Sequence, residues 1–405
     1  MMSQYVCAFR GRRDNYQIPL ALVEKGLLNQ LITDFYAVNY IQKVSPLLPK
    51  KWQNKISFRL ESNIPVEQVK CLWGSAVLEQ TRHYLGFSPA TTFAWLDQNF
   101  AEAAASQARK TKSNLLLYTP YAWEAFIASY QHNPRKILFE FHPHPEVEIP
   151  LLAQDLIRFP FVQESYLEQT GAHLPEKLIV RVKECWRHAD IILCASSFTK
   201  QTLVAAGAEH NSCKVIPYGI DLPVLPLHSF KLDSLDSFQA LFVGSGCQRK
   251  GLHHLLYAWQ KAHLPKESLL TLVCRYLDPG MESLVSQTPR VRLIRGIDAA
   301  SLRHLYHNSS LFVMPSLTEG FGQVFLEALS YGCPVLGTAN TCLPDLGREE
   351  DGIFLTEVGN LDHLISQLEY LSNFIPATPE IRKKARFCAE RFPWKSFRDA
   401  ICRVL

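Results

Sequence analysis

The chain has 405 residues, more than one hydrophobic core usually supports, so we expect two domains. Hydrophobic residues make up 47% of it and charged residues 20%, a balance that excludes a largely disordered protein. A formal net charge of +4 gives no reason to expect a nucleic-acid partner.

The cysteines and the apolar runs exclude further classes of protein. The eleven cysteines are scattered and never spaced CxxC, so neither a disulfide framework nor a zinc site is predicted. No apolar run approaches the roughly 18 residues of a membrane-spanning helix, and the N-terminus lacks the pattern of a signal peptide. We therefore expect a cytoplasmic protein with reduced thiols.

The N-terminal half alternates apolar runs with amphipathic segments, which is typical of a parallel α/β sheet. The predicted strands are Tyr5 to Phe9, Leu115 to Tyr118, Ile137 to Phe139 and Ile191 to Cys194. The predicted helical segments are Ala21 to Gln30, Tyr121 to Tyr130 and Glu176 to His188.

Two loops that follow predicted strands are candidate site segments. The loop RGRRDNYQ, Arg10 to Gln17, contains three arginines, which suit an anionic or polyhydroxylated ligand or else a solvated turn. Its candidate contacts are Arg12, Asp14 and Tyr16. The loop EFHPHP, Glu140 to Pro145, offers His142 and His144. No nearby Asp or Cys set completes a metal site with this pair, so a structural or ligand-contacting histidine is favoured.

A basic stretch between residues 50 and 59 mixes cations with large apolar side chains. Its members are Lys50, Lys51, Trp52, Lys55, Ile56, Phe58 and Arg59. Such a segment either rests on an anionic membrane surface or forms an ordinary exposed helix or loop. Peripheral contact with the cytoplasmic face of a membrane is therefore one expectation.

The segment VIPYGID, which ends at Asp221, combines a strand end with turn residues. The following stretch to Phe238 contains prolines, serines and aspartates, so we place the interdomain hinge there. The predicted units are an N-terminal domain at 1–225, a C-terminal domain at 226–385 and a final helical segment at 386–405.

The segment ALFVGSGCQRKGLHHLLYAW, Ala240 to Trp259, predicts a strand, a loop and a helix. Arg249 and Lys250 precede the helix, where cations are electrostatically misplaced unless an anion joins them. A dinucleotide fingerprint or P-loop beginning at Gly244 needs a glycine at position 249. A P-loop beginning at Gly246 needs a lysine where Leu252 stands, so both motifs are absent.

The segment LFVMPSLTEGFGQVFLEALSYGCPVLG, residues 311–337, predicts strand, loop, helix and strand. Ligands of such units bind beyond the carboxyl end of the strand, near the free amides of the helix. Glu319 lies in the loop and Glu327 one turn into the helix, which suits a sugar nucleotide. The alternative is that both carboxylates only complement the positive end of the helix.

Together these segments resemble the retaining glycosyltransferases of family 4, which have the GT-B fold and belong to glycosyl transferases group 1. The signature is the pair Glu319 and Glu327, separated by seven residues, within PSLTEGFGQVFLEALSYGCPVLG. The resemblance implies an α/β fold with two Rossmann-like domains that face each other across a donor-binding cleft. The C-terminal helices would cross back onto the N-terminal domain.

The resemblance also implies an activity, the transfer of a sugar with retention of configuration from a nucleotide-sugar donor to a hydroxyl acceptor. The donor base, UDP, GDP or ADP, stays open, as does the acceptor, which is a glycan, a lipid-linked sugar or a small molecule. No metal and no other cofactor is implied. The pathway would be polysaccharide, glycolipid or glycoconjugate biosynthesis.

Site roles follow from the same resemblance. Glu319 and His142 would contact the donor sugar, Glu327 the ribose, and Arg249 with Lys250 the diphosphate. The other expected donor contacts are Gly244, Ser245, Arg295, Gly296, Gly320, Phe321 and Gly322. Weaker acceptor-side candidates are Arg12, Asp14, Tyr16 and His144. Most relatives carry an arginine where this chain has Ser245, so a catalytically silent protein that binds a nucleotide sugar or glycan is the alternative.

Overall fold

The computed structural model describes residues 4–37, 50, 53, 56, 58–85, 89–171, 175–224 and 237–405. These residues form two parallel β-sheets, each covered by helices. The predicted hinge and the boundary between residues 225 and 226 lie mostly outside the described residues. Lys51, Trp52 and Lys55 of the basic stretch also lie outside them.

The N-terminal sheet has seven parallel strands in the order β3-β2-β1-β4-β5-β6-β7. The strands are β1 (Tyr5–Ala8), β2 (Leu28–Thr33), β3 (Val69–Cys71), β4 (Asn114–Tyr118), β5 (Lys136–Glu140), β6 (Ile191–Cys194) and β7 (Cys213–Val215). The helices of this half are α1 (Gln17–Glu24), α2 (Trp73–Tyr84), α3 (Pro89–Thr111), α4 (Trp123–Ile127), α5 (Pro145–Arg158), α6 (Gln163–Thr170), α7 (Glu176–Glu184) and α8 (Ser197–Ala205).

The C-terminal sheet has six parallel strands in the order β10-β9-β8-β11-β12-β13. The strands are β8 (Gln239–Val243), β9 (Leu269–Val273), β10 (Val291–Ile294), β11 (Leu311–Val313), β12 (Val335–Thr338) and β13 (Ile353–Thr356). The helices are α9 (Leu252–Lys261), α10 (Pro279–Gln287), α11 (Ala299–Asn308), α12 (Gln323–Ser330), α13 (Leu343–Leu346), α14 (Leu361–Ala377), α15 (Glu380–Glu390) and α16 (Trp394–Val404).

The predicted strands at β1, β4, β5, β6 and β11 are confirmed to within one residue. The helix predicted at Ala21 to Gln30 is right only to Glu24 and wrong beyond it. The helix α1 ends at Glu24, and Gly26 has a left-handed φ of +66° that stops it. The next residues form β2, which pairs with β1 and β3. Sheet pairing therefore overrides the helical spacing of this segment.

The chain passes between the domains at two neighbouring points. The amide of Ile220 donates to the Phe392 carbonyl over 2.9 Å. A Cβ on Gly219 would lie 2.6 Å from the backbone of Trp394, so only glycine allows this approach. The helix α16 then packs on α1, where the Arg398 guanidinium binds Glu24 and Gln17. The final helix thus attaches the C-terminal end of the chain to the N-terminal domain.

No helix within the described residues is both long enough and apolar enough to cross a membrane. Arg59, the last cation of the basic stretch, forms an ion pair with Asp34 and donates to the Phe35 carbonyl. That guanidinium is therefore held by the protein's own groups.

Candidate active site in the interdomain cleft

The loop between β11 and α12 touches the N-terminal domain at Gly320. The Gly320 carbonyl accepts hydrogen bonds from Ser196 Oγ at 2.5 Å and Thr199 Oγ1 at 3.0 Å. A Cβ on Gly320 would lie 1.7 Å from the Phe141 carbonyl oxygen, which excludes any other residue there. This contact brings the loop that carries Glu319 beside His142.

Glu319 is the centre of a buried ion cluster formed with the loop after β8. Its Oε2 lies 2.6 Å from Lys250 Nζ and 2.9 Å from Arg249 Nη1. Burial raises the pKa of Glu319, but the two cations outweigh it and hold that pKa well below its usual range. The predicted residues Glu319, Arg249 and Lys250 thus lie together, with the carboxyl group ionised.

Glycines set the close packing of this basic loop. Gly251 adopts a φ of +67°, and a Cβ there would lie 2.0 Å from the Pro315 carbonyl oxygen. The Leu317 amide donates to the Arg249 carbonyl over 2.9 Å, which ties the loop to the segment before Glu319. Gly244 has a φ of +154° and lies against the Lys250 side chain. The two loops therefore form one wall at the carboxyl ends of β8 and β11.

His142 lies on the opposite wall, directly after β5. Its ring packs at 4.2 Å from the Phe141 ring and remains accessible to solvent in the cleft. Desolvation, with the nearby Arg249, lowers the pKa of His142 to about 3. The imidazole is therefore neutral near pH 7 and can donate or accept a hydrogen bond.

A cavity of ≈ 470 Å³ opens between the two walls, lined among others by His142, Glu148, Ser245, Arg249 and Tyr276. Its size suits a small-molecule ligand. Ser245 is exposed within it.

Glu148 was not predicted as a site residue. It lies in the first turn of α5, and its Oε1 is buried with no hydrogen-bond partner among the described residues. Burial raises the pKa of Glu148 to about 7, although the charge of Arg249 acts in the opposite direction. The sequence gives no sign that Glu148 lines the cavity, because an acidic residue at the start of a helix also fits a simple interaction with the helix dipole.

Glu327 is not part of the ion cluster. Its Oε2 accepts a hydrogen bond of 2.9 Å from the Tyr306 hydroxyl of α11. Burial raises the pKa of Glu327 above its ordinary value. The carboxyl group lies on α12 as predicted, and a ribose contact remains a prediction.

The other predicted donor contacts have separate environments. The Arg295 side chain is half exposed and binds Glu282 over 2.6 Å, while Gly296 has open space around it. Phe321 is buried against Tyr218 of the N-terminal domain, with ring centres 5.1 Å apart. Gly322 provides the left-handed residue that begins α12, with a φ of +84°.

The loop after β1 forms the far side of the N-terminal wall. Asp14 Oδ2 accepts a hydrogen bond of 2.7 Å from the Tyr118 hydroxyl, and burial raises the pKa of Asp14. Tyr16 is fully buried against Phe9 and Tyr36, so its ring belongs to the core. Arg12 lies at the rim over the Phe58 ring.

His144 caps a helix. Its Nδ1 accepts a hydrogen bond from the Glu146 amide at the start of α5, and its Nε2 lies 3.0 Å from the Lys183 carbonyl oxygen. Both ring nitrogens therefore have protein partners, and the side chain is buried. These contacts explain the residue without a ligand.

A buried polar network joins α5 to α9 across the domain interface. The Asp155 carboxylate lies 2.9 Å from His253 Nε2, 2.6 Å from His254 Nε2 and 2.9 Å from Gln248 Nε2. Within the described residues, Asp155, His253 and His254 form the one group whose ligand atoms lie close enough for a metal ion. Hydrogen bonding alone also explains these contacts. They link the loop after β8 and the helix α9 to the N-terminal domain.

Residues 237–373 match the family model described as glycosyl transferases group 1. The chain is 27% identical over 201 residues to the capsular polysaccharide biosynthesis glycosyltransferase CapM of Staphylococcus aureus, covering 45% of this chain and 52% of CapM. It is 26% identical over 272 residues to sulfoquinovosyl transferase SQD2 of Arabidopsis thaliana, covering 64% and 49%. The chain thus spans about half the length of these curated relatives.

Solved structures share the whole architecture. A sucrose-phosphate synthase from Thermosynechococcus elongatus superposes with a TM-score of 0.68 at 18% identity, covering 99% of this chain and 98% of that one. HepE from Anabaena, in complex with UDP and glucose, gives 0.62 at 17% identity, covering 99% of both chains. The predicted α/β GT-B fold is confirmed.

Proposed function

We propose that the chain transfers a sugar from a nucleotide-sugar donor to a hydroxyl acceptor, a proposal supported by the match of residues 237–373 to glycosyl transferases group 1. The observation that carries this proposal is the cluster of Glu319, Arg249 and Lys250, which faces His142 across the cleft. The named relatives favour a role in polysaccharide or glycolipid biosynthesis.

The charge balance of the cluster suits a nucleoside diphosphate. Two buried cations share one carboxylate oxygen, so the trio carries a net positive charge before a ligand binds. A donor diphosphate would supply the missing negative charge and draw Arg249 and Lys250 towards it. Both cations then neutralise the charge that grows on the departing diphosphate, which stabilises the transition state more than the ground state.

Glu319 and His142 would orient the donor sugar. As Lys250 and Arg249 turn to the diphosphate, the Glu319 carboxylate becomes free to accept hydrogen bonds from sugar hydroxyls. The neutral His142 imidazole faces the same space from the other wall. The acceptor hydroxyl would then attack from the face that the leaving group occupies, with retention of configuration, and the two cations would serve without a metal or other cofactor.

The donor base is best sought first among uridine nucleotides, because HepE is described in complex with UDP and glucose. Glu327, one turn into α12, would bind the ribose hydroxyls, and the backbone at Arg295 and Gly296 would lie beside the base. GDP- and ADP-linked sugars are the next donors to examine. We place the protein in the cytoplasm, with peripheral membrane contact through the basic stretch at residues 50–59.

A panel of UDP-, GDP- and ADP-linked sugars, followed by detection of the released nucleoside diphosphate, tests the proposal. Turnover should occur with one donor class and be lost in Lys250→Ala and Glu319→Ala. Lys261→Ala, an exposed lysine at the far end of α9, is the matched control. Full activity in both cleft variants would refute these assignments.

A second candidate function is a catalytically silent protein that binds a nucleotide sugar or glycan. It is favoured by Ser245, which stands where most relatives have an arginine and leaves the diphosphate with one cation fewer. A ligand should then raise the melting temperature without any turnover. At about one hundred times its Kd, it should add roughly 2.7 kcal/mol to the free energy of unfolding. A Ser245→Arg variant that gains activity would support this alternative.

A further inference from the structure

The loop after β1 presents arginines on aromatic rings, beyond the groups that the donor uses. The Arg13 guanidinium lies 4.3 Å from the Phe141 ring centre and 5.2 Å from that of Tyr118. The Arg12 guanidinium lies 5.1 Å from the ring centre of Phe58, nearer the rim. Rings hold these cations in place through contact with the guanidinium faces, which leaves N–H groups at the guanidinium edges for hydrogen bonds. Arg12 Nη1 uses one of them on the Phe58 carbonyl, 3.3 Å away.

Arg13 makes no ion pair with a carboxylate of the described residues, and its buried Nε has no hydrogen-bond partner among them. Asp14 is next in sequence, but its carboxyl accepts from Tyr118. Asp97 also acts on Arg13, and burial raises the pKa of Asp97 to about 7, so much of its charge is absent near neutral pH. Neighbouring Arg181 and Arg59 are each paired with their own carboxylates. The turn thus keeps a cation that feels the charge of Asp14 but forms no direct ion pair with a carboxylate of the described residues.

The backbone of this turn is strained in a way that favours a functional role. Asp14, Asn15 and Tyr16 have φ values of 46°, 51° and 60°, three successive left-handed residues without a glycine. Each such residue costs about 1–2 kcal/mol relative to a right-handed conformation. Buried Tyr16 and the Asp14–Tyr118 hydrogen bond hold this conformation. Strain of this kind is commonly retained where it aims a side chain at a ligand.

The position of Arg13 relates it to the transferred sugar. Phe141 contacts both groups, with its ring centre 4.3 Å from the Arg13 guanidinium and 4.2 Å from the His142 ring centre. The charge of Arg13 also acts on His142, as do those of Arg249 and Glu319. Arg13 therefore lies on the N-terminal wall, one ring beyond the group that would orient the donor sugar.

We infer that the acceptor carries an anionic group, a phosphate or a carboxylate, and that Arg13 binds it with Arg12 at the rim. This inference rests on the proposed sugar transfer and names the chemical class of its acceptor. A planar guanidinium matches either anion with two parallel hydrogen bonds. The bound anion would supply the direct ion-pair partner that Arg13 lacks among the described residues and set the acceptor hydroxyl beside the donor sugar.

Isothermal titration of matched sugars tests the inference without requiring turnover. The ligands are neutral hexoses, their 6-phosphates, their uronates and, in detergent, a lipid-linked sugar pyrophosphate. A nucleoside diphosphate is present throughout to occupy Arg249 and Lys250. Wild type should bind at least one anionic sugar about ten to one hundred times more tightly than its neutral parent, as expected for charged hydrogen bonds. The ligand that binds most tightly shows whether the acceptor's anionic group is a phosphate, a carboxylate or a lipid-linked phosphate.

Arg13→Met should abolish this preference, Arg13→Lys should retain part of it, and Lys110→Met, at an exposed position on α3, should leave it unchanged. Equal binding of neutral and anionic sugars by wild type, or an undiminished preference in Arg13→Met, would overturn the inference. Nucleoside diphosphate binding is measured in the same samples. If that binding fails while the Arg13-dependent preference persists, the proposed donor site is wrong and the anion site stands.

Discussion

The two walls of the cleft are built from the sequence in different ways. On the C-terminal wall, Arg249, Lys250 and Glu319 follow β8 and β11, and each belongs to one continuous strand, loop and helix segment. On the N-terminal wall, Asp14 depends on Tyr118 and Arg13 on Phe141, residues more than one hundred positions away. On the proposed roles, the donor side of the cleft would thus be encoded by continuous segments, whereas the acceptor side would depend on long-range packing.

The largest expected effect comes from substitutions in the charged cluster of the C-terminal wall. Lys250→Met or Glu319→Gln should lower kcat/KM about 10²- to 10³-fold with every acceptor, because each removes preorganised charge at the reacting centre. Steady-state transfer kinetics with the best donor measure this. Lys261→Met and Glu350→Gln change exposed groups of the same domain and should act like wild type. A loss confined to one acceptor would contradict the division of roles.

The connection between the walls is the next target. Asp155→Ala leaves His253 and His254 buried without their shared acceptor, and each such group costs about 1–3 kcal/mol. Gln248 loses one acceptor and keeps the Leu152 carbonyl. The free energy of unfolding should fall by about 3 kcal/mol or more in urea titrations. Glu267→Ala, on an exposed loop, is the control. A stability equal to wild type would show that the network does not join the domains.

A smaller effect concerns pH and the unpartnered Glu148. Its pKa of about 7 means that the carboxyl ionises as pH rises through 7, which places negative charge near Arg249. The Kd of a nucleoside diphosphate should therefore increase several-fold between about pH 6 and pH 8, and Glu148→Gln should remove this dependence. Titration calorimetry at several pH values measures it. An unchanged pH profile in Glu148→Gln would assign the effect to another group.

The same pKa shift predicts a stability trend. Because the folded protein holds the Glu148 proton up to about pH 7 and the unfolded chain releases it near the ordinary value of 4.5, the folded state loses stability as pH rises through this window. Glu148→Gln should reduce that slope. His142 acts in the opposite direction in this window, because its folded-state pKa of about 3 lies below the ordinary value of 6.5 that applies in the unfolded chain, so comparison with Glu148→Gln is needed to isolate the glutamate.

The smallest expected change tests the strain of the N-terminal wall. Asn15→Gly places the residue best suited to a φ of 51° in the turn, so the unfolding free energy should stay equal or rise by up to about 1 kcal/mol. Asn15→Ala should instead lower it by about 1 kcal/mol. Denaturant titration compares the two variants. A glycine variant clearly less stable than the alanine variant would show that the turn is unstrained.

The sequence predicted most of what is local. The strands at β8 and β11, the loop that carries Glu319 and the cations before α9 follow from apolar runs and glycine positions, and the structure brings these three charged residues together. The predicted helix at Ala21 to Gln30 includes the first three residues of β2, which form a strand because β2 pairs with β1 and β3.

Residues whose role depends on a distant partner could not be predicted. His253 and His254 directly follow the basic loop in the sequence, but nothing in the sequence pairs them with Asp155, which contacts them across the domain interface. Glu148 resembles an ordinary helix-start acid until the cavity is known. In the left-handed turn at Asp14 to Tyr16, Asp and Asn are common among non-glycine residues with positive φ, but Tyr16 is not, and no local signal indicates three such residues in succession.

Two-substrate initial-rate kinetics of wild type, Lys250→Met and Arg13→Met test the division between the walls most directly. We expect Lys250→Met to lower turnover with every acceptor. Arg13→Met should raise KM for an anionic acceptor about tenfold or more, as loss of a charged hydrogen bond implies, while the Kd of the donor stays the same. If both variants change the same kinetic parameter, or if neither changes any, the assignment of donor and acceptor to opposite walls is wrong.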